Sequence, residues 1–460
     1  MIESVKVLNR IDAGLFLVIA CVGLLQYHHF SKMINPALST EFRSRDVWFD
    51  ADMIRVSSLE TDRAGRHTRN TLHPLLPIVA YPPVFVLRRF FALPSLAAVR
   101  LFNAGVAGIW LGAYFLLLRQ IGCRRPDGVV FTMVLGTSAS AFFWLTVPES
   151  FTLGSLTFFP AFILAARKNP PNFIGEVVAH VVGLSITISN WMAAAILTLV
   201  RGTRRRFMLV SATAFFVVMV LSVLQRSIFP NIDSSAVGRI SNESVFVFMP
   251  EAGGFWSIAR TFLFHGMIAP GIGWLPNFRL PNFPLMSFQS SPLFSGPRAG
   301  VYGTAIWAAL LVIGFVSFFF AGKNPDLKKI LGVTLLCQIA MHGAYGRETF
   351  LYSLNYVPML VAVVALAAQT RARWLVLSLS VFLFPLNIAN NRFMFEWCTA
   401  YTQHFSYLQE RLAEHPFDEE KSRERIGISS EPKPVHNIST VARAGLPAVP
   451  TSRASHLRVP

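Results

Sequence analysis

The chain has 460 residues, 53% of them hydrophobic and only 14% charged. Soluble domains carry roughly 25% charged residues, which excludes an ordinary water-soluble enzyme, and a content of 41 Phe and 9 Trp excludes an unfolded chain. The net charge of +17 would suggest nucleic acid in a soluble protein, but here basic residues cluster between apolar stretches, where they fix topology, and no nucleic-acid partner is expected.

The expected class is all-α: a polytopic transmembrane helical bundle. A crossing needs about 20 mostly apolar residues. The first apolar stretch, 11–30, lacks a small-x-small cleavage site and ends Gln26-Tyr27-His28-His29, so it reads as a retained helix rather than a signal peptide. Further spans are expected at 97–118, 128–147, 150–166, 207–228, 301–321, 328–345, 350–369 and 374–391. Two shorter arms, 173–189 and 191–200, join at Ser189-Asn190-Trp191. The stretch 75–91 is apolar but contains Pro77, Pro82 and Pro83 and ends in Arg88-Arg89. It reads as a re-entrant or interfacial helix.

Short loops rich in Lys and Arg stay in the cytoplasm. Arg119, Arg124 and Arg125; Arg167 and Lys168; Arg201 and Arg204 to Arg206; Lys323, Lys328 and Lys329; and Arg371 and Arg373 form such loops. Placing them all inside requires two crossings between Lys168 and Arg201. The expected count is then about eleven spans, with the N-terminus cytoplasmic and the C-terminus external. Three segments follow: 1–200, 201–395 with a long outer loop at 229–300, and a polar tail at 396–460, largely disordered from about Ser429. The four cysteines are scattered, contain no CxxC, and read as packing residues.

The long loops and nearly all acidic loop residues fall on the outer side, which puts any chemistry at that interface. The first outer loop reads RSRDVWFDADMIRVSSLETDRAGRHTRNTLHPLLP. Asp46 and Asp50 would share one face of a surface helix, with Asp52 on its flank and Trp48 and Phe49 in the headgroup layer. Carboxylates there can act as a general base or hold a hard divalent cation, Mg or Mn, at Asp50 and Asp52. The plainer reading is a solvated acidic loop. Glu149 sits at an outer turn, where it is either functional or an ordinary helix-start acid. Arg347 and Glu348 cap another short outer turn. Arg347 suits a phosphate, and the alternative is an Arg347–Glu348 pair that anchors the turn. His342 and His265 read as structural. The 229–300 loop, with PGIGWLPNFRLPNFPLMSF, suggests a lid over an apolar substrate. HExxH, P-loop, GxSxG and Rossmann patterns are all missing.

The order of these motifs resembles the membrane-embedded GT-C glycosyltransferases, such as protein O-mannosyltransferases and aminoarabinose transferases. It runs from one helix and an acidic outer loop (Asp46, Asp50, Asp52) to His73-Pro74-Leu75, Arg124-Arg125, Pro148-Glu149 and the short-helix pair GLSITISNWMAAAIL. The resemblance covers about residues 11–200. It implies a polyprenyl-phosphate-linked sugar donor, an acceptor in the outer or periplasmic space, a bacterial inner-membrane location, and transfer without ATP. It maps the family's acid to Asp50 or Asp52, its HP segment to His73-Pro74 and its second acid to Glu149. Where the family often has a lysine, this chain has Asn190, and its Asp-Pro or Asp-Glu motif is Pro-Glu here. Asp46, His73, Asn190, Arg347 and Glu348 are thus the expected substrate-binding residues. Three rivals stand beside this reading, one of them a non-catalytic subunit on the same scaffold, against which the retained Asp50, Asp52 and Glu149 argue. An O-antigen ligase or polymerase would lean on Arg239, Arg260, Arg279 and Arg298. A transporter or flippase would need ionisable residues in mid-span, where this chain has almost none.

Overall fold

A computed structural model describes residues 9–40, 47–65, 69, 72–232, 244–275, 284–320 and 324–414. Two compact units divide the chain, Met1–Gln403 and His404–Pro460, and helices on both sides of residue 200 belong to the first. Its described elements are α1 (Arg10–Ser31), α2 (Ala37–Thr40), α3 (Met53–Thr61), α4 (Leu76–Phe90), α5 (Ser95–Gln120), α6 (Arg125–Gly136), α7 (Ala139–Trp144), α8 (Ser150–Leu156) and α9 (Phe159–Ala166). There follow α10 (Phe173–Ile186), α11 (Trp191–Arg201), α12 (Arg204–Ile228), α13 (Phe255–Arg260) with a π turn at Thr261–His265, α14 (Arg298–Phe320), α15 (Pro325–Ala344), α16 (Ser353–Ala367) and α17 (Arg373–Glu414). A short hairpin, β1 (Gly273–Leu275) and β2 (Leu285–Ser287), pairs antiparallel with Trp274 opposite Met286.

The chain is a helical membrane protein. Among the described residues, six helices are long and apolar enough to cross a bilayer: Arg10–Ser31, Ser95–Gln120, Arg204–Ile228, Arg298–Phe320, Thr349–Ala367 and Arg373–His404. They differ in burial. α16 is enclosed on nearly all sides, whereas α12 shows Phe216, Met219 and Val223 outward, as a lipid-facing helix should. α1 and α5 approach closely because small residues line the contact: a Cβ on Gly108 would lie 2.3 Å from the Ala20 carbonyl oxygen. α4 has 15 residues, a length of about 22 Å, and carries Pro82 and Pro83 inside it. It buries Leu76, Ala80 and Val84 and presents Phe85, Val86 and Phe90 outward, the pattern expected of a helix lying at an interface.

Several expected elements differ. The 128–147 stretch breaks between α6 and α7, and the 150–166 stretch breaks at Thr157 and Phe158. The helix expected to end at 391 continues to Glu414, because no Gly or Pro intervenes in the polar stretch that follows. The surface helix expected through Asp46 and Asp50 is not formed by its second half. Residues 47–50 make a turn, and the helix begins at Met53. Trp48 and Phe49 are fully buried in protein rather than placed among headgroups.

One end of the bundle is tied by arginine–carboxylate pairs. Asn9 caps α1 in a capping box with Asp12, and Asp12 accepts from both Arg119 and Arg125 at 2.9 Å. Arg373 forks onto Asp127 (2.7 and 3.1 Å), Arg201 meets Asp326 (3.0 Å), and Arg206 meets Glu176 (2.6 Å). Asp12 and Arg119 are 1% and 3% exposed, so each neutralises a charge that water does not reach. Removing one partner of a buried pair costs about 3–5 kcal/mol. Asp12→Ala is therefore expected to lower the thermal stability of the purified protein well beyond the effect of an exposed control such as Arg392→Ala, measured by thermal unfolding in detergent.

Candidate functional site

The candidate site is a cavity of about 230 Å3 lined by the loop before α3, the start of α4, the Glu149 turn, the break between α10 and α11, and the C-terminal end of α15. Its polar wall carries Asp50, Asp52, Arg55, Arg69, His73 and Glu149, and its apolar wall includes Phe151, Met341, Leu351 and Tyr352.

The first loop reaches the cavity through an unusual turn. Phe49 and Asp50 both have left-handed backbone, with φ of 49° and 64°. Such conformations cost of order 1–3 kcal/mol in non-glycine residues and persist only when neighbours enforce them. Phe49 supplies that enforcement: its ring packs against Phe288 (4.7 Å), Phe143 (5.3 Å) and Phe350 (5.4 Å). The Val47 carbonyl also accepts from the Met286 amide of β2 at 3.2 Å. With the ring pinned inside, the Asp50 carboxylate turns toward the cavity.

Arginines dominate the carboxylate partners. Arg347 forks onto Asp50, Nε to Oδ2 at 3.0 Å and Nη2 to Oδ1 at 2.5 Å. Asp52, one residue before α3, accepts from Arg55 Nε and Nη2 (3.2 and 3.1 Å) and pairs with Arg69 Nη1 (3.2 Å). The Arg69 guanidinium also lies over the Phe246 ring at 5.1 Å. Three guanidiniums thus meet two aspartates around one opening.

Glu149 begins α8 and is buried. Its Oε2 accepts the Asp52 amide at 3.0 Å, and its Oε1 accepts the Ser150 amide and hydroxyl, each at 3.1 Å. Burial pushes this acid up to about 7, with Asp52 adding to the rise and Arg55 opposing it. Behind it, Glu60 of α3 accepts from Asn103 Nδ2 at 3.0 and 3.2 Å, and burial raises it to about 8. His73 donates from Nδ1 to the Ile186 carbonyl at 2.6 Å. Backbone bonds Leu75 N–H to Ser185 O and Ile188 N–H to Leu72 O stitch this segment to the α10–α11 break. Gln225 of α12 satisfies the start of α4, accepting from the Ile78 amide and donating to the Pro74 carbonyl.

The cavity thus unites Asp50, Asp52, Glu149 and His73, and Arg347 backs it through Asp50. Asp46 lies outside the described residues. Glu348 does not pair with Arg347. It is buried, accepts from the Ser287 hydroxyl and the Phe350 amide, and is raised to about 8 by burial. Asn190 also lies off the cavity wall. Its Nδ2 reaches the Gly154 carbonyl (2.8 Å), Thr157 and Asn355, tying the α8–α9 break to α16. His342 is buried and stacks on Tyr352 at 4.9 Å, and His265 meets Thr261 inside the π turn. Arg260 and Arg298 do not line the cavity, while Arg239 and Arg279 lie outside the described residues.

Sequence reasoning missed Arg55, Arg69, Tyr345 and Tyr352. Arg55 carried a signal, three residues after Asp52 and on its helical face. Arg69 and the tyrosines carried none, since only folding brings them near. Among the described residues, no three His, Cys, Asp or Glu side chains converge as a metal's ligands would. The aspartates already face guanidiniums, so this donor set does not fit a divalent cation.

A second feature lies within reach. An apolar groove of about 560 Å3 runs along α15 between α14, α16 and the π turn, lined by Phe262, Phe315, Phe318, Leu336 and Leu360, with Lys328 and Lys329 at its far end. From Lys328 to Ile339 it covers about 16 Å of helix, and Met341 of the cavity wall follows two residues on, on the opposite side of α15.

No protein-family model matches this chain, and comparison with curated proteins finds no match in sequence.

Raised acids impose a definite pH dependence. Between 4.5 and about 7, Glu149 ionises in the unfolded chain but keeps its proton in the folded one. The folded state then binds more protons, so its contribution to stability is full below 4.5 and falls as pH rises through that window. Glu149→Gln cannot ionise. It is expected to flatten part of the fall in unfolding temperature between about pH 4.5 and 7, read by thermal unfolding across pH.

Proposed function

We propose that this protein is an integral membrane glycosyltransferase that moves a sugar from a polyprenyl-phosphate-linked donor to an acceptor hydroxyl at the outer membrane face. The observation that carries this reading is the meeting of three carboxyl groups and several guanidiniums in one cavity, with an apolar groove on the same helix, α15. A charged head joined to a long apolar tail is the ligand chemistry that suits such a pair of features. The resemblance of residues 11–200 to the GT-C glycosyltransferases points the same way.

In this reading Asp50 accepts the proton of the acceptor hydroxyl as its oxygen bonds to the anomeric carbon, and the bond from that carbon to the phosphate oxygen breaks. Arg55 and Arg69 receive the developing charge on the departing polyprenyl phosphate. Asp52 holds those two guanidiniums in place and Glu149 holds the Asp52 backbone. His73 faces the sugar. The isoprenoid tail lies along α15. Arginine supplies the countercharge here, and no step is drawn through a metal ion.

The topology proposed with it has eleven crossings in a GT-C-like arrangement: the six long helices, the broken pairs α6–α7 and α8–α9, and α10, α11 and α15. The N-terminus is cytoplasmic and the C-terminal tail external, in a bacterial inner membrane. Single cysteines placed after Arg205 and after Glu396 should label from the inside and the outside respectively; labelling of the second from the cytoplasm would overturn the count.

Asp50→Asn is an isostere that tolerates the left-handed backbone. It is expected to lower sugar transfer from a polyprenyl-phosphate donor by about 10²- to 10⁴-fold, with the protein still folded and unfolding cooperatively. Near-normal transfer by this variant in proteoliposomes would remove Asp50 from the chemistry.

A further inference from the structure

We infer that Arg347 is a positioning residue that fixes the Asp50 carboxylate, not a ligand of the donor phosphate. This rests on the proposed role of Asp50 as the base. An arginine in a short turn is well suited to bind a phosphate, but here its Nε–Nη2 edge is taken by Asp50 and it is not among the residues that line the cavity, as Arg55 and Arg69 are. Nε and Nη2 each donate to a different oxygen of Asp50, the two-point geometry that sets the plane of a carboxylate as well as its position. Arg347 and Asp50 side chains are 12% and 18% exposed, so water competes little for the contact.

The surroundings fit a positioning device. Asp50 lies on a left-handed turn whose own backbone bonds are only Phe49 N–H to Val47 O (3.1 Å) and Ala51 N–H to Trp48 O (2.9 Å) among the described residues. Beside Phe143, two fasteners from the C-terminal part of the chain hold that turn. Phe49 is gripped by Phe288 and Phe350, and Asp50 by Arg347. Phe350 and Arg347 belong to one short connection between α15 and α16. Glu348 within it is anchored in turn to Ser287, and the Thr349 amide to Gln289. The connection is therefore rigid where it meets the loop. Asp52 and its two arginines form a separate group, and Arg55 and Arg69 line the cavity whereas Arg347 does not.

Hydrogen exchange and lipid binding on the purified full chain test the assignment. In Arg347→Gln, amides of residues 47–52 should exchange roughly 10- to 100-fold faster, the loss expected for a charge-assisted fork. Arg347→Lys, which keeps charge but loses the fork, should recover only part of the protection. Asp50→Asn should loosen the same amides, and the double variant should be no looser than the worse single one, since both remove one contact. Binding of polyprenyl phosphate in detergent should stay within about threefold of wild type in Arg347→Gln and fall about tenfold or more in Arg55→Gln. In a transfer assay Arg347→Gln should lower kcat and leave donor KM in place. Unchanged exchange at 47–52 in Arg347→Gln, or a loss of polyprenyl-phosphate binding matching that of Arg55→Gln, would overturn the inference. If Arg347→Gln does not fold, Arg347→Lys and Asp50→Asn give the same readings. A wild-type protein that binds no polyprenyl phosphate would remove the lipid-donor reading, and the exchange result would still decide the role of Arg347.

Discussion

Everything in this fold follows from one constraint: backbone that leaves the helical path at membrane depth must find its hydrogen bonds inside the protein. This chain leaves it repeatedly, at the α6–α7, α8–α9 and α10–α11 breaks and after the π turn. Buried side chains close each gap. Asn391 donates to the Thr137 and Met267 carbonyls and accepts from the Ala269 amide, sealing two breaks at once. Asn190 seals the α8–α9 break. Pro358 cannot donate to Leu354, four residues earlier in α16, and the Ser155 hydroxyl takes that carbonyl at 2.6 Å. Trp144 donates to Phe350 and Ser353, pinning the start of the same helix.

Those sealed breaks make the site possible. A bundle of unbroken helices would fill the outer third of the membrane with packed side chains. Here the chain turns early at Glu149 and at Thr187 to Asn190, and the first outer loop drops into the space created. The interior so formed is dry enough to raise Glu149 to about 7 and Glu60 to about 8, while the aspartates keep arginine partners.

The site also depends on both parts of the sequence. Asp50, Asp52, His73 and Glu149 come from the first 150 residues, whereas Met341, Tyr345, Tyr352 and the Arg347 contact come from the outer ends of α15 and α16. A motif comparison limited to the N-terminal part sees the acids and misses the groups that orient and enclose them.

Sequence alone determined the membrane class, the long helices and the grouping of Asp50, Asp52, His73 and Glu149 on one side. These are legible because hydrophobic length, Lys and Arg clustering, and loop acidity are local properties, and the bilayer reads them one segment at a time. Only tertiary structure decided the rest. Trp48 and Phe49 read as headgroup aromatics from their neighbours, but the aromatic cluster of Phe143, Phe288 and Phe350 buries them. Glu348 and Asn190 read as ligand-facing residues, but distant carbonyls and hydroxyls claim them for backbone repair. Arg347 read as a phosphate ligand or a partner of Glu348, but Asp50, 297 positions away, fills its fork. Hydrogen-bond partners at such separations are chosen by packing between helices, and a linear pattern of residue types does not encode which helices meet.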